Sequence, residues 1–237
     1  YRTLDEEGLK ALKKQVIREA AAEGRRPIEA GAQLSKAIDL DRSLRELRQQ
    51  GLDVTYHACD VSSRSAVAGM LDAVRSQHGA ITGIIHGAGI EAAARFDRKK
   101  SDLVRATVAA KVDSAEWLWQ LTDGDDLKFF VGFGSTAGRF GGTGQTDYSM
   151  ASDLLCRMAR KFSNERPGCR VFGIHWPPWD EIGMAARPES RFALEAAGLK
   201  FLPPNEGVSH LLDELALDVR EQELTFVDSI WDVSEDV

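Results

Sequence analysis

Apolar side chains recur at helical spacing along the first fifty residues, among many Lys, Glu and Ala side chains. This spacing predicts one helix over residues 4–23 and a second that ends near Gln50. Pro27 separates the two, and Gly51 suits a C-terminal cap. The positions that define the two stripes are Leu9, Leu12, Val16 and Ile17, and then Leu34, Ile38, Leu44 and Leu47. We therefore expect a helical extension over residues 1–51.

From residue 52 the pattern changes to alternating strands and helices. Short continuous apolar runs, such as Phe129-Phe130-Val131, are typical of strands that are covered on both faces. Regular β-α-β alternation predicts an α/β fold with a doubly wound, Rossmann-like parallel sheet over residues 52–237. The predicted strands are 53–58, 81–86, 128–134, 170–176 and 223–228, and the predicted helices lie near 63–78, 99–122, 146–164 and 205–218.

Prolines bracket an irregular stretch between the last two predicted strands. They are Pro177, Pro178, Pro188, Pro203 and Pro204. The stretch from about 177 to 204 is longer than an ordinary connection. We expect it to form a lid near residues 180–204 over a site.

Three polar residues suggest the chemistry of that site, because ligands bind beyond the carboxyl ends of parallel strands. Ser135 follows the third predicted strand, Tyr148 lies 13 residues after it, and Lys111 lies 24 residues before it. This set of groups would suit the reduction of a ketone. The hydroxyl can hold the carbonyl, the phenol can protonate it, and the ammonium can lower the pKa of the phenol. Each residue also has an alternative without a catalytic role. Ser135 could cap a turn, Tyr148 could be a packed aromatic residue, and Lys111 could be a surface cation.

Further candidates follow the other predicted strands. Gly87-Ala88-Gly89 suits a close approach of the backbone to a ribose or nicotinamide ring, although a tight turn explains it equally well. Asp60 could accept a hydrogen bond from an adenine amino group, with capping of the helix near Ser63 as the alternative. His86 is expected to pack at its strand end. Val61, Pro177 and Pro178 complete the predicted cofactor-binding set.

Composition narrows the classes of function. A net charge of −7 does not indicate a basic surface for nucleic acid or an anionic membrane. No apolar run is long enough to span a bilayer. Cys59, Cys156 and Cys169 are widely spaced and odd in number, so we predict neither disulfides nor a metal site, but reduced thiols in a cytoplasmic protein. The chain begins at Tyr1 without Met and carries no signal peptide, so we expect a fragment or an excised domain.

Several stretches form a specific set of motifs. They are Tyr56-His57-Ala58-Cys59-Asp60-Val61-Ser62, His86-Gly87-Ala88-Gly89-Ile90, Ala110-Lys111-Val112, Phe133-Gly134-Ser135-Thr136-Ala137-Gly138, Gly144-Gln145-Thr146-Asp147-Tyr148, His175-Trp176-Pro177-Pro178-Trp179 and Gly183-Met184-Ala185. From residue 52 onward, the chain resembles the ketoreductase domains of type I polyketide synthases and polyunsaturated fatty acid synthases, within the short-chain dehydrogenase/reductase superfamily. Most of that superfamily places its lysine four residues after the tyrosine, whereas the synthase ketoreductases place it far upstream, as Lys111 lies here.

The resemblance implies NADPH-dependent reduction of a 3-ketoacyl thioester on an acyl carrier protein, which gives the 3-hydroxyacyl thioester. The catalytic residues would be Ser135, Tyr148 and Lys111, and the lid would cover the phosphopantetheine arm. The resemblance also implies other synthase domains as partners. Two interpretations stay open beside it. One is a non-catalytic structural domain, and the other is a free-standing dehydrogenase that acts on a small alcohol or ketone.

One element of the family is missing from this sequence. The family opens with a strand and a glycine-rich loop that holds the cofactor pyrophosphate at a helix N-terminus. The glycines before Asp60 are isolated within helical sequence. We therefore expect an upstream segment or a partner chain to complete the nucleotide site, and residues 1–51 to be an expanded connection.

Ser152 stands four residues after Tyr148, where the synthase ketoreductases usually carry Asn. A serine can still bind a water or a backbone carbonyl, so we expect proton delivery to be retuned rather than lost. Replacing Ser152 by Asn should keep the rate of ketone reduction within about tenfold, below the roughly 10²–10⁴-fold that general acid–base catalysis contributes. Steady-state rates of the two proteins check this expectation, and a larger loss would contradict it.

Overall fold

A computed structural model describes residues 1–217 and 221–227, and the chain divides into two compact units. The first unit, Tyr1–Ala58, contains helices α1 (Glu6–Ala22) and α2 (Pro27–Gln49), which pack as a pair. Asp5 caps α1 because its carboxylate accepts a hydrogen bond from the Gly8 amide at 2.8 Å. Both predicted helices are present within a few residues of their expected ends.

The predicted strand at 53–58 is wrong. These residues have no regular secondary structure and do not belong to the described sheet. The carbonyl of Val54 accepts a hydrogen bond from the Arg48 side chain at 3.1 Å instead of entering a ladder. A strand forms only where a neighbour takes up its backbone groups, and the alternation of side chains cannot supply that neighbour. The first unit accordingly extends to Ala58, beyond the expected boundary at residue 51.

The second unit begins at Cys59 and is built on a parallel sheet. Its described strands are β1 (Gly83–His86), β2 (Phe129–Phe133), β3 (Arg170–His175) and β4 (Glu223–Thr225), in that spatial order. The register pairs Ile84 with Phe130 and Ile174 with Leu224. The expected α/β class with a Rossmann-like parallel sheet is confirmed. Residue 228 of the last predicted strand lies outside the described residues.

Helices surround this sheet close to their predicted positions. They are α3 (Arg64–His78), α4 (Ser101–Val108), α5 (Ser114–Leu121), α6 (Thr136–Phe140), α7 (Thr146–Glu165), α8 (Pro188–Ala196) and α9 (Pro204–Ala216). A π-helical segment, Ala109–Asp113, joins α4 to α5. The stretch expected to be irregular therefore contains a helix, α8, and the end of the predicted helix at residue 218 is not among the described residues. Within the described part of the chain, no helix combines the length and apolar character that a membrane span needs.

Two apolar clusters cover the two faces of the sheet, because successive side chains of a strand point to opposite faces. Phe130 belongs to one cluster, in which Trp119 stacks on Phe162 with ring centroids 4.5 Å apart. Val131 belongs to the other cluster, which also contains Trp176. Trp119 and Trp176 are thus packing residues.

Three glycines allow helix α7 to lie unusually close to the sheet. A β-carbon at Gly173 would stand 2.5 Å from the Cα atom of Cys156, on α7. One at Gly134 would collide with the Cys156 sulfur, and one at Gly138 would stand 2.7 Å from the Asp153 amide nitrogen. Because real β-carbons do not approach other atoms so closely, any side chain here would force α7 away from the sheet.

Replacing Gly173 by Ala should therefore destabilise the protein by about 1–3 kcal/mol, the usual range for overpacking. Gly69 provides a matched control, since it lies within α3 and a β-carbon there would meet no atom within 4 Å. Gly69→Ala should stabilise the protein by roughly 0.5–1 kcal/mol, because alanine favours helix. Chemical denaturation of both variants measures these changes. Equal effects of the two substitutions would contradict the close packing of α7.

Candidate active site

Ser135 lies at the carboxyl end of β2, where it caps helix α6. Its hydroxyl oxygen accepts a hydrogen bond from the Ala137 amide at 3.2 Å. The amides on either side of it bond to the next strand: Gly134 to the Ile174 carbonyl at 2.8 Å and Thr136 to the Trp176 carbonyl at 2.9 Å. The backbone of Ser135 is therefore held from both sides.

Lys111 is buried beside that strand end, and its side chain is only 3% exposed. It lies in the π-helical segment, a feature that is frequent at functional sites. Its ammonium donates a hydrogen bond to the Phe133 carbonyl at 2.7 Å and stands 5.4 Å from the centre of the Tyr148 ring. Burial lowers the pKa of Lys111 to about 8. The alternative of a surface cation is therefore wrong.

Tyr148 lies in the first turn of α7, facing Ser135 and Lys111. Burial raises the pKa of its phenol, and the Glu91 carboxylate acts in the same direction. Contact with the Ser135 side chain opposes this change by lowering the pKa of Tyr148. The net direction is opposite to the lowering expected from Lys111, because the desolvation of the phenol outweighs the hydrogen bonds of the neighbouring serines. The phenol consequently keeps its proton at neutral pH.

Ser152 lies one turn further along α7 and is fully buried. Its hydroxyl lowers the pKa of Tyr148 to a smaller extent than Ser135 does. Its oxygen nevertheless makes no hydrogen bond of good geometry to any described residue. Ser152 is therefore a polar neighbour of the phenol with hydrogen-bonding capacity to spare.

The loop Gly87-Ala88-Gly89 leaves β1 next to Lys111. A β-carbon at Gly89 would stand 3.3 Å from the Lys111 side chain, so glycine leaves room for the buried cation. His86, at the end of β1, bonds through Nε2 to the Lys111 carbonyl at 2.9 Å. Since a carbonyl only accepts, Nε2 carries the proton, and burial lowers the pKa of His86 to about 4. His86 is a neutral packing residue, as expected.

The other residues predicted to bind the cofactor lie in the loops before α3 and after β3. Asp60 accepts hydrogen bonds from the amide and the hydroxyl of Ser62, at 2.9 and 2.6 Å, and these lower the pKa of its carboxyl. The cap of α3 is Ser63 rather than Asp60, because the Ser63 hydroxyl accepts from the Ala66 amide. Val61 follows Asp60 in the turn that precedes α3. After β3, the two prolines lead into the lid, where the Pro178 carbonyl accepts from the Leu202 amide at 2.8 Å.

A buried ion pair beside Tyr148 could not be found from the sequence. Lys99 and Asp147 are both nearly inaccessible, and their charged atoms are 2.5 Å apart. Asp147 directly precedes Tyr148, so the pair ties the start of α7 to the loop after β1. The Ala94 amide adds a bond to the Gly144 carbonyl at 3.0 Å. Two residues far apart in sequence give no local signal of such a pairing.

An open groove runs along the same junction, with a volume of about 710 Å³. It is lined by Ala93, Ala94, Arg95, Phe96, Asp97, Thr143, Gly144 and Thr146. Thr146 stands two residues before Tyr148, at the start of α7. The groove thus reaches the N-terminal end of α7, the helix that carries Tyr148.

Comparisons with known proteins show the family to which the chain belongs. The family model described as the KR domain matches residues 7–181. Polyketide synthase GfsA of Streptomyces halstedii is 34% identical over 204 residues, which are 85% of this chain and 3% of that protein. Polyketide synthase PksN of Bacillus subtilis is 28% identical over 180 residues, which are 73% of this chain and 3% of that protein. The solved structure of the first ketoreductase of the tylosin polyketide synthase is 32% identical with a TM-score of 0.67, over 79% of this chain and 39% of that one.

The buried cation at Lys111 should be visible in the pH dependence of stability. The folded protein loses this proton near pH 8 and the unfolded chain near pH 10.5, so the unfolded chain binds more protons between these values. The contribution of Lys111 to the free energy of unfolding should rise across this window by up to about 3 kcal/mol. Denaturation of the wild type and of Lys111→Met from pH 7 to 10.5 measures it as a difference.

One other group that titrates in the window is coupled to Lys111. Burial raises the pKa of Cys156 to about 12, so its contribution to stability falls as pH rises above its usual value near 9. Because the Lys111 ammonium itself lowers the pKa of Cys156, both proteins are compared in a Cys156→Ala background, in which the thiol makes no contribution. A difference that stays flat between pH 8 and 10.5 would contradict a buried, desolvated ammonium at Lys111.

Proposed function

The chain belongs to the KR domain family, and we propose that it reduces the 3-keto group of an acyl thioester on an acyl carrier protein, with NADPH as hydride donor. The observation that carries this proposal is the convergence of Lys111, Ser135 and Tyr148 at the carboxyl end of β2. The matches to polyketide synthases, and a further match to a polyunsaturated fatty acid synthase of a Thraustochytrium species, support a place within such an assembly.

In the proposed reaction the three side chains act on the ketone oxygen. The Ser135 hydroxyl donates a hydrogen bond to it and fixes the carbonyl. Tyr148 is protonated at neutral pH and delivers its phenolic proton to the oxygen as negative charge develops there. The Lys111 ammonium stabilises the resulting phenolate, because an opposite charge at short range favours the ionised form.

The residues around Lys111 suit one half of a nicotinamide cofactor. When bound, NADPH supplies the hydride, which no side chain can provide. Gly87, Ala88 and Gly89 present backbone with little side chain beside Lys111, so that a flat ring and a sugar can approach closely. Asp60, Val61, Pro177 and Pro178 belong to the same proposed site.

The phosphate half of that site needs further residues. In the described part of the chain, no glycine-rich loop precedes a helix beside β1. Strand β1 is the edge of the described sheet, and Ile85 on it is 50% exposed. An exposed edge with an apolar side chain is suited to pairing with another strand. We propose that an upstream segment or a partner chain adds its strand there and brings the phosphate loop.

For the substrate path, we propose the groove at the start of α7. Its volume of about 710 Å³ gives room for a phosphopantetheine arm, which must carry the ketone to the phenol. The exposed ring of Phe96 on its wall gives an apolar contact for an acyl chain. The lid near residues 180–204 would close over the arm, and within it Arg191 pairs with Asp180 at 2.5 Å.

A second candidate function is a non-catalytic domain that keeps the fold to organise its neighbours. The observation that favours it is the unpartnered hydroxyl of buried Ser152, where the resemblance leads one to expect Asn. A free-standing dehydrogenase acting on a small alcohol is less consistent with Lys111, which lies on a different helix from Tyr148.

Removal of the phenolic hydroxyl tests the proposed reaction. Tyr148→Phe should lower kcat for a 3-ketoacyl thioester by roughly 10²–10⁴-fold, because the general acid is lost. The measurement is the rate of NADPH oxidation by the longest natural polypeptide that contains these residues. Tyr56→Phe is the matched control, since Tyr56 is 55% exposed in the first unit, and its activity should remain unchanged.

The same assay separates the two candidates. NADPH binding with no turnover in the wild type would favour the structural domain. Turnover that survives in Tyr148→Phe would contradict the assignment of Tyr148 as the proton donor while leaving the reductase activity in place.

A further inference from the structure

His175 connects the candidate catalytic serine to a carboxylate on another strand. It is the last residue of β3, and its side chain is 0% exposed. Its Nδ1 atom lies 3.0 Å from the Ser135 carbonyl oxygen, and its Nε2 atom lies 3.0 Å from a carboxylate oxygen of Glu223 on β4. The imidazole thus spans the gap between β4 and the end of β2.

Both partners of this ring are hydrogen-bond acceptors. A backbone carbonyl and a carboxylate accept hydrogen bonds and donate none. A neutral imidazole has a single N–H group and could satisfy only one of them, which would leave a lone pair facing an oxygen atom. Because the Ser135 carbonyl only accepts, its hydrogen bond to the ring requires the proton on Nδ1.

The charges around the ring come from three elements. Glu223 lies on β4, and Asp153 on α7 contributes a second carboxylate. A carboxylate oxygen of each of these residues and a ring nitrogen of His175 lie within 4.8 Å of one another. Arg157 on α7 pairs with Asp153 at 2.7 Å, and Arg139 on α6 pairs with Glu223 at 3.2 Å. The buried thiol of Cys156 on α7 is a further titratable group beside these carboxylates.

We propose that His175, which bridges Glu223 and the Ser135 carbonyl, is a positioning residue for Ser135. The amides of Gly134 and Thr136 are anchored to β3, and the Ser135 carbonyl between them is anchored to the His175 side chain. Because the direction of the Ser135 hydroxyl depends on its own backbone, this third anchor fixes the hydroxyl toward the ketone. Glu223 reinforces it by also holding Arg139, on the helix that Ser135 caps. The inference rests on the proposed ketone reduction.

Two amide substitutions separate the two bonds of the ring. The side-chain nitrogen of Asn can replace Nδ1, so His175→Asn keeps a donor for the Ser135 carbonyl and loses the bond to Glu223. The side-chain nitrogen of Gln can replace Nε2, so His175→Gln keeps the bond to Glu223 and loses the bond to Ser135. A role in the packing of the core alone would make the two variants similar.

Steady-state kinetics of the longest natural chain with a 3-ketoacyl thioester distinguish these cases. We expect His175→Asn to keep kcat within about threefold, and His175→Gln to lower kcat by about 10–100-fold, the equivalent of leaving one buried acceptor unpaired, with a smaller change in KM. His210→Gln is the matched control and should leave kcat unchanged, because His210 stacks on Phe226 outside this connection. Equal losses of kcat in the Asn and Gln variants would overturn the proposal.

A spectroscopic measurement keeps the inference independent of the reaction. Nitrogen-15 NMR of the imidazole should show a proton on Nδ1 of His175, and the backbone amide of Thr136 should shift in His175→Gln more than in His175→Asn. A wild-type ring without a proton on Nδ1, or equal shifts in both variants, would overturn the role of His175. Absence of any wild-type reduction would instead contradict the proposed function, and the NMR result would then decide the role of His175 alone.

Discussion

The close approach of helix α7 to strands β2 and β3 is the constraint on which the candidate site depends. Glycine at positions 134, 138 and 173 leaves space for Cys156 and the backbone of Asp153. Since Tyr148 and Ser152 lie on α7, while Ser135 follows β2, the same packing sets the distance between phenol and serine. Dense interiors transmit such displacements, so a change in the seating of α7 would move the proton donor relative to the carbonyl-binding hydroxyl.

The second constraint is the burial of a cation. Lys111 reaches the interior from a π-helical segment, finds the Phe133 carbonyl as a partner, and keeps a lowered pKa because of its desolvation. The described contacts give this ammonium no carboxylate partner, so its burial lowers stability. An unpaired buried charge is retained where function needs it, and here it faces the ring of Tyr148. The burial of Lys111 thus lowers the stability of the fold, but it provides a positive charge that can stabilise a phenolate at Tyr148.

Much of this was predictable from local patterns. The apolar runs and their alternation predicted β1 to β3 and their flanking helices, and the motifs around Ser135 and Tyr148 led to the family that the comparisons confirm. Residues 53–58 had the composition of a strand but have no partner in the described sheet. The links from Lys99 to Asp147 and from His175 to Glu223 join residues 48 positions apart. Such contacts exist only after folding and leave no periodicity in the sequence.

Under the proposed function, the chain would hold the proton-transfer side of a ketone reduction, and an added strand and loop at β1 would complete the nucleotide side. The most direct test is isotopic. The longest natural chain that contains these residues is supplied with a 3-ketoacyl thioester and with NADPH deuterated at the carbon that transfers hydride. We expect deuterium at carbon 3 of a 3-hydroxyacyl product. Binding of both compounds without deuterium at that carbon would contradict the assignment of this site as a ketoreductase.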